Sequence, residues 1–168
     1  LLMGEPFNRK ELLDITAEME GHPDNAAPAI LGGFCMALIE NGNVVAERID
    51  IPSQWKAVVA IPDFELHTEE ARAVLPASYV RSDVVHNIGA VSFLMAAFMY
   101  NKPEYLKFGL DDHVHVPYRL GLIPGSEEVI RSSVKAGAYG ATISGSGPTI
   151  IAFSPSDKAH LVGESMVS

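Results

Sequence analysis

Glu18-Met19-Glu20-Gly21-His22-Pro23-Asp24-Asn25-Ala26-Ala27-Pro28-Ala29-Ile30-Leu31-Gly32-Gly33 packs two glutamates, a histidine, an aspartate and an asparagine into one short turn, with a run of small and apolar residues behind it. The preceding residues predict a helix over 11–20, with Leu12, Ile15 and Met19 spaced to share one face. Gly21 ends that helix, and Pro23 cannot continue it. Glu18 and Glu20 therefore stand at a helix C-terminus, where the dipole disfavours anions. Such carboxylates are either solvated surface acids or neighbours of a cation. Beyond the turn, Asp24 or Asn25 is placed to cap a short helix reaching Ile30, whose start would offer free N–H groups.

Working outward, Gly32-Gly33 breaks that helix and residues 34–39 read as a strand. Asn41-Gly42 is a two-residue hairpin signal, so residues 43–51 return as the partner strand. Pro52-Ser53 is a break and a domain boundary. Residues 55–61 form a continuous apolar strand, expected to be central in its sheet. A short helix over 68–75 has Thr68 as its cap, Glu69 and Glu70 at its positive end and Pro76 as its stop. A long helix from Ser82 to about Asn101 is apolar on most faces and expected in the core. Residues 103–108 read as one or two helical turns, 113–119 as irregular, and 126–136 as a helix. Two strands, 140–144 and 149–153, flank the turn Gly145-Ser146-Gly147-Pro148, and Ser156-Asp157 opens a last helix. This order predicts an α+β fold, an antiparallel sheet covered by helices.

Composition narrows the function classes. The 168 residues are 48% hydrophobic and 20% charged, a globular balance with room for one domain or pieces of two. A net charge of -9 argues against a nucleic-acid partner, which needs a basic face. One cysteine, Cys35, excludes a disulfide scaffold and fits a cytoplasmic protein. The longest apolar segment, 84–100, contains His86, Asn87, Gly89 and Ser92 and is too polar for a membrane span, so no membrane partner is expected. The ends, Leu1-Leu2-Met3-Gly4 and Ser168, read as cut from a longer chain.

The chemistry-bearing residues each have a bland alternative. Gly145-Ser146-Gly147 could cradle a phosphate with backbone N–H groups, or serve only as a hairpin needing positive φ. Arg72 and Arg119 are surface ion-pair residues or a two-armed carboxylate clamp, since a planar guanidinium matches a carboxylate bidentately. His22 and Asp24 flank Pro23 as an Asx turn or as a polar site. His113 and His115 alternate as on a strand with no carboxylate partner in view, weak support for a metal. No nucleophile-elbow pattern supports a serine hydrolase.

Taken together, residues 20–33 closely resemble the substrate motif of the bacterial homoserine kinase family, within the superfamily of galactokinase, homoserine kinase, mevalonate kinase and phosphomevalonate kinase (GHMP kinases). Residues 142–149 resemble that superfamily's third, glycine-rich motif, and residues 68–76 and 119–124 resemble further homoserine kinase segments, all in family order. The resemblance implies the end of an S5-like N-terminal domain over residues 1–52. A ferredoxin-like α/β sandwich, the C-terminal domain, would follow over 53–168, truncated at its end. It implies MgATP-dependent phosphorylation of the side-chain hydroxyl of L-homoserine, on the route to threonine, with ATP and Mg2+ as cofactors. By family position Arg72 and Arg119 take the carboxylate and Asp24 the ammonium. His22 lines the pocket, and Asn25 lies at the reacting hydroxyl as the catalytic position. Gly145, Ser146 and Gly147 belong to the nucleotide side, and Glu18 is the magnesium ligand, with Glu20 its rival. Homoserine and ATP are the expected partners, and a homodimer is compatible with the family. The superfamily's phosphate loop is absent, so the chain alone is expected to be inactive. A sister kinase on another small alcohol, a non-catalytic amino-acid-binding module and a purely structural scaffold are the competing readings.

Overall fold

The structure, a computed structural model, describes residues 6–167; the readings placed on residues 1–4 and on Ser168 lie outside them. The chain divides between Ile51 and Pro52 into two compact units.

The first unit holds α1 (Arg9–Glu20), α2 (Ala26–Leu31) and the antiparallel hairpin β1 (Phe34–Glu40) and β2 (Asn43–Ile49). α1 starts on a capping box: the Asn8 side chain accepts the Glu11 N–H and the Glu11 carboxylate accepts the Asn8 N–H. It stops at Gly21, whose φ of 79° is open to glycine at no steric cost. Asn41 and Gly42 both take positive φ, the turn geometry that matches strand twist. The buried face of α1 is not the expected one. Leu13 and Ala17 are 2% and 1% exposed, whereas Leu12, Ile15 and Met19 are 41%, 38% and 83% exposed. Leu13 and Ala17, four residues apart, fit a helical repeat as well as the expected stripe does, and the small Ala17 lets the backbone approach Ala26, Ala27 and Val44.

Asp14 links α1 to the hairpin. Its Oδ1 accepts the Val44 N–H at 2.9 Å, and Lys10 Nζ donates to the same carboxylate. The Lys10 hydrogen bond, then that of Val44, holds the Asp14 carboxyl below its usual value against a smaller opposing effect of burial. A lowered folded pKa gives stability that is complete above the ordinary carboxylate value of about 3.9 and is lost as pH falls through the folded one. Protection of the Val44 amide from hydrogen exchange is therefore expected to vanish on acidification, and to be absent at neutral pH in Asp14→Ala. Unchanged protection in that variant would rule out the link.

The second unit is a three-stranded antiparallel sheet of order β3 (Trp55–Ala60), β5 (Ile150–Pro155), β4 (Gly140–Ile143). Among the described residues β3 is therefore an edge strand and β5 the central one, reversing the sequence expectation. A continuous apolar run does not distinguish a central strand from an edge strand with one covered face. Val58 and Ala60 are partly covered, while Val59 is exposed. α7 (Ser126–Lys135) and α8 (Ala159–Val167) pack on the sheet around Ile123, Ile143, Ile150, Ala152, Val162 and Met166. The other helices are α3 (Thr68–Ala73), α4 (Arg81–Met99), α5 (Leu106–Gly109) and α6 (Val116–Arg119).

α4 meets the sheet at its C-terminal end, where Phe98 packs against Trp55 and Phe153. Gly109 lets α5 approach closely: a Cβ there would lie 2.7 Å from Leu94 Cα. By length and composition alone α4 could cross a membrane. Its fully buried residues are Ala90, Ala97 and Phe98, so the expectation of an all-round core helix does not hold. Val84, Ile88 and Val91 instead line an open groove of about 500 Å³ with Tyr79 and Val114. With Tyr79, Asn87 and Ser92 supplying its polar side-chain atoms and no charged residue in its lining, this groove lacks the charges a zwitterion needs.

Candidate functional site

In the first unit, the candidate residues sit between α1 and α2. His22 Nδ1 is sealed from solvent and is the single buried side-chain polar atom without a hydrogen bond among the described residues. Asp24 Oδ1 stands 2.5 Å from it, without the alignment a hydrogen bond requires, and accepts the Asn25 N–H at 3.1 Å. The Asp24 side chain is 72% exposed, which leaves its other oxygen open. Neither Asp24 nor Asn25 caps α2 through its side chain, contrary to expectation; Asn25 occupies the cap position with helical φ and ψ, and its exposed amide is uncommitted. Glu18 and Glu20 are exposed and form no hydrogen bond or ion pair among the described residues. Nearby, burial pushes the Cys35 thiol pKa up against the opposing charge of Arg48.

In the second unit, Arg119 is the centre. It is the last residue of α6, and its Nε donates to the Ala71 carbonyl of α3 at 3.2 Å. Its Nη1 donates to the Gly145 carbonyl at 3.1 Å. One guanidinium thus ties three segments far apart in sequence, and three of its five N–H groups remain for a ligand. Arg72, next to Ala71, is exposed, and its guanidinium makes no hydrogen bond or ion pair among the described residues. The helix that carries it begins with Thr68 already inside and His67 at the cap position, so Thr68 is not the cap.

The glycine turn is built as a turn first. Gly145 and Gly147 have φ of 61° and 93°, the left-handed region. The Gly147 N–H donates to the Ser144 carbonyl and the Ser144 N–H to the Thr149 carbonyl. A Cβ on Gly147 would meet Ile123 Cδ1 at 2.6 Å. The backbone donors left for an anion are those of Gly145 and Ser146.

Sequence reasoning missed a polar knot between α4 and the segment that follows α5. Asp112 accepts the Asn87 Nδ2–H and the Val114 and His115 N–H groups, and Asn87 Oδ1 accepts the His113 N–H. His113 and His115, expected to lack carboxylate partners, have Asp83 and Asp111 beside the first and Asp112 beside the second. Only the Asp112–His115 spacing was a usable signal; Asp83 comes from another element.

Residues 104–168 match the family model described as GHMP kinases C terminal. Residues 104–168 thus carry a GHMP kinase C-terminal domain. Within that superfamily its relatives are homoserine kinases. The homoserine kinase of Carboxydothermus hydrogenoformans is 46% identical over 157 residues, 94% of this chain and 51% of the relative. The crystal structure of homoserine kinase from Cytophaga hutchinsonii superposes with a TM-score of 0.91 at 33% identity, covering 98% of this chain and 54% of that one. L. major mevalonate kinase, at 17% identity and a TM-score of 0.74 over 96% of this chain and 55% of that one, shares the fold. The chain spans about half the length of the curated relatives it matches.

Proposed function

We propose that the protein to which this chain belongs transfers the γ-phosphoryl group of ATP to the side-chain hydroxyl of L-homoserine, giving O-phospho-L-homoserine for threonine biosynthesis in the cytoplasm. The observation that carries this reading is the 40–46% identity to homoserine kinases over nine-tenths or more of the chain, with all four quoted motifs inside the matched span. Homoserine is a zwitterion, and the uncommitted groups have the matching charges. Arg72 and the free edge of Arg119 take the carboxylate, and the open oxygen of Asp24 takes the ammonium. His22, whose Nδ1 lies beside Asp24, lines the pocket. Asn25 orients the hydroxyl. An amide is a poor base, so catalysis rests on positioning and charge, which suffices for a loose phosphoryl-transfer transition state.

Gly145 and Ser146 offer N–H donors to the nucleotide side, and Gly147 shapes the turn. Magnesium takes one or two carboxylates together with phosphates and waters, so the uncommitted Glu18, or Glu20 beside it, fits that ion. It would neutralise phosphate charge when bound. Calorimetry on the full-length protein tests the reading: homoserine and MgATP should both bind, and a coupled assay should show turnover. Binding of homoserine without nucleotide would favour an amino-acid sensor, and turnover of another alcohol in preference would favour a sister kinase.

A further inference from the structure

Away from the residues assigned above, α4 carries Asp83 and His86 one turn apart, and the segment after α5 carries Asp111 and His113. The His86 and His113 rings stack with centroids 3.8 Å apart and planes within 10°. Asp111 Oδ2 lies 3.1 Å from His86 Nε2, and Asp111 Oδ1 lies 3.7 Å from His113 Nε2. One ligand atom from each of the three lies within 4.8 Å of the others. On the far side of His113, Nδ1 is 3.5 Å from Asp83 Oδ1.

We propose that His86, Asp111 and His113 form a binding site for a divalent transition metal of the zinc class, separate from the magnesium of the reaction. Metal–ligand bonds of about 2.0–2.1 Å in a tetrahedron separate ligand atoms by roughly 3.3 Å, close to the two spacings observed. Because each Nε2 lone pair lies in its ring plane, the two rings must tilt out of their parallel stack for the three atoms to share one centre, with water completing it. Two imidazoles and one carboxylate suit zinc, cobalt or nickel, whereas magnesium and calcium prefer oxygen alone. His86 Nε2 now contacts the Asp111 carbonyl at 3.0 Å; on metal binding its proton moves to Nδ1. Asp83 stands behind His113 as the outer carboxylate that fixes tautomer and orientation. The neighbouring Asp112–Asn87 knot holds the segment in place beforehand, so little ordering remains when the ion arrives. An occupied site would clip α4 to the stretch leading into α6, the helix that ends in Arg119.

The test is titration of the chelator-treated protein with Zn2+ by calorimetry and with Co2+ by visible absorption, with Mg2+ as the comparison ion. One equivalent of Zn2+ should bind with micromolar affinity, Co2+ should give the intense bands of a four-coordinate centre, and Zn2+ should raise the melting temperature. His86→Ala and His113→Ala should each weaken Zn2+ at least tenfold, Asp83→Asn more mildly, and His160→Ala on α8 not at all. Both histidine side chains are only partly buried, 38% and 40% exposed, so the metal-free variants should melt close to the parent; His86→Phe serves if His113→Ala does not fold. No saturable Zn2+ binding, binding untouched by His86→Ala or His86→Phe, or competition by Mg2+ at equal concentration would overturn the proposal.

Discussion

Arg119→Ala in the full-length protein is expected to weaken homoserine binding by on the order of 2 kcal/mol or more, about a 30-fold rise in Kd. The size follows from what the guanidinium does. Its Nε and Nη1 are spent on the Ala71 and Gly145 carbonyls, which fixes the plane of the group. The remaining N–H groups then meet a carboxylate as a preset fork, and a fixed donor pair loses little freedom on binding. Arg119→Lys should be nearly as weak as alanine, because an ammonium cannot hold both carbonyls and a bidentate carboxylate at once. Either variant also strips Ala71 and Gly145 of a donor, so the melting temperature should fall as well. Measuring Kd well below melting, by calorimetry with homoserine alone, separates the two effects. A Kd within error of the parent, at unchanged circular dichroism, removes Arg119 from the substrate site.

Local signals carried much of the fold. Gly21 and Asn41-Gly42 act through backbone geometry that a few adjacent residues determine, and the helix end and the hairpin follow from them. The GHMP α+β class was legible as well, because its glycine turn and the His22 turn are contiguous motifs. Burial was not legible in the same way. In α1 both the Leu12-Ile15-Met19 stripe and the Leu13-Ala17 pair fit a helical repeat, and only the partner surface of α2 and β2 decides between them. In α4 apolar residues surround the helix, so hydrophobicity could not tell the Phe98 end, packed on Trp55, from the open groove at Val84 and Ile88. For β3 the position in the sheet depends on which strand lies beside it, information that its own six residues do not contain. The partners of Arg119 and the Asp83 partner of His113 were hidden for the same reason: Ala71, Gly145 and Asp83 come from segments that only the folded chain brings together.

Asp112→Ala is expected to cost about 2–4 kcal/mol of stability in the second unit, among the larger effects of any single substitution outside the apolar core. Burial disfavours the Asp112 charge, but the Asn87 hydrogen bond, the His115 and Val114 N–H groups and the charge of His115 outweigh it and hold the carboxyl below its usual pKa. One oxygen, Oδ1, accepts from Asn87 at 2.9 Å, from the Val114 N–H at 2.5 Å and from the His115 N–H at 2.9 Å. Truncation leaves all three donors without that acceptor in a partly buried place, and the penalty for unmet donors exceeds the net worth of the bonds themselves. Asn87 would also lose the partner that orients it to receive the His113 N–H at 2.8 Å. Asp112→Asn separates charge from shape: it keeps an acceptor oxygen but no charge, and should recover part of the loss. Urea unfolding of the three proteins checks this, with a lower midpoint and an unchanged slope marking a true stability change. Because the knotted segment runs into α6, the alanine variant should also bind homoserine more weakly in the full-length protein even where it remains folded. A stability change under about 0.5 kcal/mol would mean that water replaces the carboxylate without penalty, and that the knot does not set the position of Arg119.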